Sequence, residues 1–188
     1  MQIGIVGCAV GAPFAVLVAE ELFATGCKLL ISVTSAGQIS RAGKPPYFVV
    51  IDRAIRDEGT SYHYVRPAQF AEAEFGLVKT AADALAARGL PAIIGATWTT
   101  DAPFRETAAA IEAARTKSVL AVEMEAAALY SFGYATGAHV LCLAHVTNTM
   151  GQLEGDFDKG EADGTAASLS VLATIIPALT STIGLAKV

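Results

Sequence analysis

The sequence predicts an α/β fold: a single-domain α/β/α sandwich around a central mixed, mostly parallel sheet. Three observations carry this. Short, continuous apolar runs that stop at glycine alternate with segments of helical spacing, the pattern of strands buried on both faces. Of the 188 residues 53% are hydrophobic and 16% charged, with small side chains dominant and aromatics at 7%. That mix suits close packing of helices on a sheet and argues against disorder. Finally, clusters of small, polar and acidic residues recur at strand ends, where open α/β sheets place their sites.

The elements follow in order. QIGIVG (2–7) reads as a buried strand ending at glycine, and PFAVLVAEELFATG (13–26) as a helix opened by Pro13 and closed by Gly26. KLLISVTS (28–35) is a second buried strand, which with the helix forms a βαβ unit. PYFVVIDRAI (46–55) and LPAIIGATW (90–98) are strands, with a long amphipathic helix within 67–89 between them. A helix follows over 104–115, then a short strand, SVLAVEME (118–125), running into the helix AAALYSFGYATG (126–137). AHVLCLAHVTN (138–148) is a strand and 164–184 the last helix, with Pro177 expected to kink or break it. The polar stretch 151–164 reads as a surface loop able to act as a flap. No internal repeat or linker divides the chain.

Composition excludes several classes. A net charge of −5 leaves no basic footprint for nucleic acid. The apolar runs are broken by Gly, Pro or charge, so no segment is expected to span a bilayer. The N-terminal run lacks the basic flank of a signal peptide. Cys8, Cys27 and Cys142 are widely spaced and read as buried free thiols of a cytoplasmic protein. No spacing suggests a metal site.

Five segments carry candidate chemistry, the first three each with a plainer alternative. GCAVGAP (7–13) is either a tight strand-to-helix turn or a glycine turn that lets backbone approach a ligand; it is not a dinucleotide fingerprint. TSAG (34–37) offers hydroxyls and amides to an anion, or is a simple turn. In VEME (122–125), positions i and i+2 of an extended segment share a face, so Glu123 and Glu125 are expected to point to one place and clamp a vicinal diol. The alternative is that they offset a helix dipole. Asp101 is expected to cap the helix after it, and Asn148 can present both donor and acceptor at a strand end. His63 and His145 read as structural.

Taken in order, these segments resemble the nucleoside phosphorylase superfamily, the purine nucleoside and uridine phosphorylases. GCAVGAP resembles its glycine turn, TSAG its G-T/S-x-G segment, TTDAPF its S-x-D-x-F-Y segment and VEMEAAALY its most specific signature, V-E-M-E followed by Ala or Ser and Ala. HVTN stands where the family ends a strand in Asp or Asn, and IRDEGTSYHY is similar to a uridine-phosphorylase stretch. The resemblance implies phosphorolysis of a nucleoside to free base and ribose-1-phosphate, with no metal or organic cofactor and phosphate as co-substrate. It implies ribose binding by Glu123, Met124, Glu125 and Val10, and phosphate binding by Ser35. Base contacts would come from Phe104, with Pro103 nearby, and from Asn148, which would stabilise the leaving base. Asn at that position suits a uridine-type or 6-oxopurine nucleoside. A homo-oligomer is also implied.

Two departures from the family pattern stand out. The chain opens at what resembles the family's second stretch of sheet, so 1–188 is expected to lack the N-terminal strand and the G-D-P-x-R phosphate loop. Ser32 also stands where relatives carry arginine. Arg41, Arg53, Arg56 and Arg66, supplied across a subunit interface, are the candidate replacements. The departures keep two other readings open: a nucleosidase that uses water, and a nucleoside-binding protein without turnover.

Overall fold

A computed structural model describes residues 2–90, 92–150 and 160–185. The elements are α1 (Ala12–Ala24), β1 (Leu29–Gln38), β2 (Tyr47–Asp57), β3 (Phe70–Glu72), α2 (Phe75–Ala87), β4 (Ala92–Thr100), α3 (Ala108–Arg115), β5 (Val119–Glu123), α4 (Ala126–Thr136), β6 (His139–Asn148) and α5 (Thr165–Thr182). Short 3-10 turns occupy Thr60–His63, Pro103–Arg105 and Glu161–Gly164.

The six strands run in the order β3-β2-β4-β5-β1-β6, and β2 also pairs with β6. The added pairing closes a circuit of five strands and leaves β3 hanging on β2. Pairs β1–β6, β2–β4 and β4–β5 are parallel; β1–β5, β2–β3 and β2–β6 are antiparallel. The α/β class is as expected, with parallel and antiparallel pairings in equal number.

Alternation along the central strands divides the core. Val49 and Ile51 of β2, with Val140, Cys142 and Ala144 of β6, face α1 and α4. Phe48 and Val50, with Leu141 and Leu143, face Leu77 and Leu85 of α2 and Ile175 and Leu179 of α5. A third cluster seats Ala114 of α3 on Trp98 and Val119. Helix α4 is buried all round over Ala126–Gly133, which its unbroken run of small and apolar residues permits. Tyr130 reaches from it to the point where β2 and β6 part: its hydroxyl donates to the Ile51 carbonyl at 2.7 Å and accepts from the Cys142 amide at 3.0 Å. Both backbone groups lie where the ladder ends and would otherwise be unpaired.

Several expectations are corrected. QIGIVG (2–7) is not a strand, and Ile3, Ile5 and Val6 are exposed. Apolar content gives a segment strand propensity, but a strand exists only through a partner, and none of the described strands pairs with it. Cys8 is exposed and Cys27 half-buried, so only Cys142 is a buried thiol. Helix α5 continues through Pro177. With the turn before it, Glu161–Thr182 is long and apolar enough to cross a bilayer by length and composition, contrary to expectation. Here its Val171, Ile175 and Leu179 pack in the core beside α2. Of the expected flap, residues 151–159 lie outside the described residues.

Candidate functional site

The signature segment changes conformation in its middle. Strand β5 ends at Glu123, and Glu125 takes φ −131° and ψ −37° as the N-cap residue of α4. The two carboxylates therefore do not share a face, because the two-residue period holds only while the chain stays extended. They have different surroundings, both buried.

Glu123 lies opposite Thr99 in the β4–β5 ladder. Its Oε1 accepts from the Thr99 hydroxyl at 2.5 Å and from the Thr97 hydroxyl at 3.1 Å. Its Oε2 accepts from the amides of Glu125 and Ala126, each at 2.7 Å. Thr99 Oγ1 in turn accepts from the Ala127 amide at 2.9 Å. The first donors of α4 are thus answered by side chains rather than water. Burial pushes the Glu123 carboxyl up to about 7, against the bonds from Thr99 and the two amides, which favour its charged form; the Glu125 charge adds to the rise.

Glu125 reaches the other way. Its Oε1 accepts from the Gly11 amide at 2.7 Å, and its Oε2 meets its neighbour's amide, Met124 N, at 3.4 Å. Gly11 is the N-cap residue of α1 with φ +88°, a conformation that favours glycine. A carboxylate at that helix start also meets the positive end of the α1 dipole. The glycine turn and the acidic signature, over a hundred residues apart in sequence, are joined by this bond.

Asn148 completes the row of strand ends. A bulge shifts the β1–β6 register between Ala36 and Gly37, so that Gly37 pairs with Asn148 across β6 and with Val122 across β5. The Asn148 Oδ1 accepts from Met150 N at 3.0 Å, which orients its amide nitrogen the other way, toward Thr147 Oγ1 at 3.4 Å. Space over Gly37 is tight: a Cβ there would stand 2.1 Å from Met150 Sδ and 3.3 Å from Asn148 Oδ1.

The structure thus brings Met124, Glu125, Gly37 and Asn148 to the neighbouring ends of β5, β1 and β6, with Gly11 at the start of α1 bonded to Glu125. Met124 is half-buried; Val10 and Ser35 are exposed. Phe104 is 98% exposed on the turn after β4. Asp101 does not cap α3: its Oδ2 accepts from the Gly59 amide at 2.9 Å, and the Thr107 hydroxyl accepts from Ala110 N instead. His145 is buried and stacks on Phe48 at 4.3 Å between ring centroids. Of the four arginines, Arg56 is spent inside the chain on Ser61 Oγ and the carbonyls of Val65 and Arg66, and lies over the Tyr62 ring. Arg53 lies over Phe70. A cleft of about 300 Å³ lined by Arg56, Asp57, Glu58, Gly59, Tyr62 and Asp101 is separate from Glu125 and Asn148. Among the described residues no group of His, Cys, Asp and Glu could hold a metal ion.

The family model of the phosphorylase superfamily matches residues 1–177. The chain belongs to the phosphorylase superfamily. Relatives within it include a purine nucleoside phosphorylase DeoD-type of Clostridium novyi (strain NT), 28% identical over 151 residues that make up 79% of this chain and 65% of the relative. A second, from Bacillus mycoides (strain KBAB4), is 30% identical over 78% of this chain and 63% of its own length. The chain therefore spans just under two-thirds of the length of these relatives. Among solved structures, uridine phosphorylase from Vibrio fischeri ES114 superposes with a TM-score of 0.75 at 26% identity, covering 94% of this superfamily member and 72% of that chain. The mixed α/β fold is that of this neighbour.

Sequence reasoning missed Gly11, Thr97 and Thr99 as members of the site. The signal for the threonines was present: GATWTT places two hydroxyls on one face of a buried strand, and buried hydroxyls need partners.

Proposed function

We propose that this superfamily member cleaves the N-glycosidic bond of a nucleoside with phosphate, releasing free base and ribose-1-phosphate, and acts on a uridine-type or 6-oxopurine nucleoside. The observation that carries the proposal is the buried Glu125 carboxylate, with one oxygen held by the Gly11 amide of the glycine turn and the other engaged only by a long contact to Met124 N at 3.4 Å. Held this way, Oε2 accepts from the ribose hydroxyls while Met124 packs against the sugar and Val10 closes its far side. Phosphorolysis builds positive charge on the sugar and negative charge on the departing base. A fixed carboxylate near the ribose favours the first, and the Asn148 amide nitrogen, whose second hydrogen remains beside its 3.4 Å contact to Thr147 Oγ1, donates to the second. Asn148 is no acid at neutral pH, so it supports a leaving base by hydrogen bonding alone. Phosphate is assigned to Ser35 and the end of β1, and Phe104 to the base. No metal or organic cofactor enters the proposal, and the protein works as a homo-oligomer in the cytoplasm.

A second reading, hydrolysis by water, draws support from Ser32: it leaves no cation on β1 for a phosphate dianion, and Arg56 is committed elsewhere. The test follows base and sugar products from uridine, inosine and adenosine by chromatography, with and without phosphate. Ribose-1-phosphate formed only with phosphate supports phosphorolysis. Free ribose formed regardless of phosphate replaces it with hydrolysis, and no base release with retained nucleoside binding leaves a binding protein.

A further inference from the structure

We infer that Glu123 is a positioning residue: together with Thr97 and Thr99 it fixes the backbone from which Glu125 reaches the sugar. The inference rests on the reading of Glu125 as the ribose clamp, and it gives Glu123 a different task from its neighbour. All four bonds to the Glu123 carboxylate come from the protein, two hydroxyls on one oxygen and two amides on the other. The carboxylate is therefore saturated from within and has no oxygen left over for a sugar hydroxyl. The two amides belong to Glu125 and to the residue after it, so they bracket the Glu125 Cα. The chain of contact runs from β4 through Thr97 and Thr99 to Glu123 on β5, then to the Glu125 backbone, and from the Glu125 carboxylate to Gly11 on α1. Each joint is a bond of 3.1 Å or less between buried groups. Loosening the β4 end lets the N-cap of α4 shift, and a displacement of about 1 Å at a binding carboxylate costs far more in catalysis than in folding.

The experiment uses Thr97→Val, Thr99→Val and Thr99→Ser in the full chain. Thr97→Val removes one bond to Glu123 and leaves the Thr99 bond to Ala127 in place, so it keeps a folded variant in the set. Affinity for a ribonucleoside and for its 2′,3′-dideoxy counterpart is measured by calorimetry. The expected result is that each valine variant weakens ribonucleoside binding about ten-fold while the dideoxy compound binds as before, and that Thr99→Ser restores the wild-type value. Equal losses for both ligands, or no loss for the ribonucleoside, overturn the inference. A wild-type protein that does not distinguish the two ligands sinks the clamp reading instead. In that case the positioning claim is still read without ligand, from the backbone amide resonances of Glu125 and Ala126. These should move upfield in the valine variants and return in Thr99→Ser; resonances that stay put overturn the inference.

Discussion

Replacing Glu125 with glutamine tests the clamp with little change of shape. The new side-chain carbonyl can still accept from Gly11 N, the partner now at 2.7 Å, while the new amide nitrogen takes the place of Oε2. An amide nitrogen cannot accept from a hydroxyl, so the sugar loses a charge-assisted bond worth about 1.5–3 kcal/mol. At about 1.4 kcal/mol per factor of ten, kcat/KM for a ribonucleoside should fall about ten- to hundred-fold. Stability should change much less. The Gly11 bond survives in neutral form at a loss of about 1 kcal/mol, and a domain of this size loses about 2–4 °C in Tm for that. The assay is steady-state release of base from the ribonucleoside and its 2′,3′-dideoxy counterpart, with thermal unfolding in parallel. An equal fall for both substrates, or a fall matched by a collapse in Tm, would refute the reasoning.

Further outcomes follow from other parts of the structure. Tyr130→Phe strands the Ile51 carbonyl and the Cys142 amide in the core; the cost is about 2–4 kcal/mol, visible as a lower midpoint in urea. Gly37→Ala drives a methyl group into Met150 and against Asn148, so base release should fall about ten-fold or more while near-wild-type circular dichroism is kept, because Met150 is flexible and can move. For Glu123 the folded carboxyl is raised from 4.5 to about 7, so the folded state holds the proton more tightly than the unfolded chain. Its contribution to stability is therefore fully present below pH 4.5 and is lost as pH rises through about 7. Wild-type stability minus that of Glu123→Gln, from denaturant titrations across this range, should decline with pH; a flat or rising difference contradicts the assignment.

How much of this was legible in the sequence depends on whether the cause was local. Helix α1 was, because Pro13 starts it and Gly26, at φ +103°, follows its end. Helix α4 and strand β6 were, since Gly137 takes the left-handed C-cap between them. The placing of TSAG, TTDAPF, VEME and HVTN at or near strand ends also held, because chain direction and loop length largely set it, whereas GCAVGAP follows no described strand and leads directly into α1. What failed depended on partners. QIGIVG has the composition of a strand and no ladder. Asp101 sits near a helix start but finds Gly59, from another segment, closer to hand. The three-residue β3 was folded into a helical reading, as too short to show a period of its own. Glu123 and Glu125 were assigned to one face because the sequence does not mark where β5 gives way to α4. The bond that joins Gly11 to Glu125 crosses more than half the chain, and no local pattern announces it.

The most direct measurement is a crystal structure with a slowly reacting ribonucleoside analogue and phosphate. The account predicts the ribose hydroxyls on Glu125 Oε2, the base edge at the Asn148 amide nitrogen and phosphate at Ser35, with Glu123 still holding the Glu125 and Ala126 amides. An analogue bound in the cleft between Arg56 and Asp101, or a sugar hydroxyl on Glu123 in place of Glu125, would contradict it.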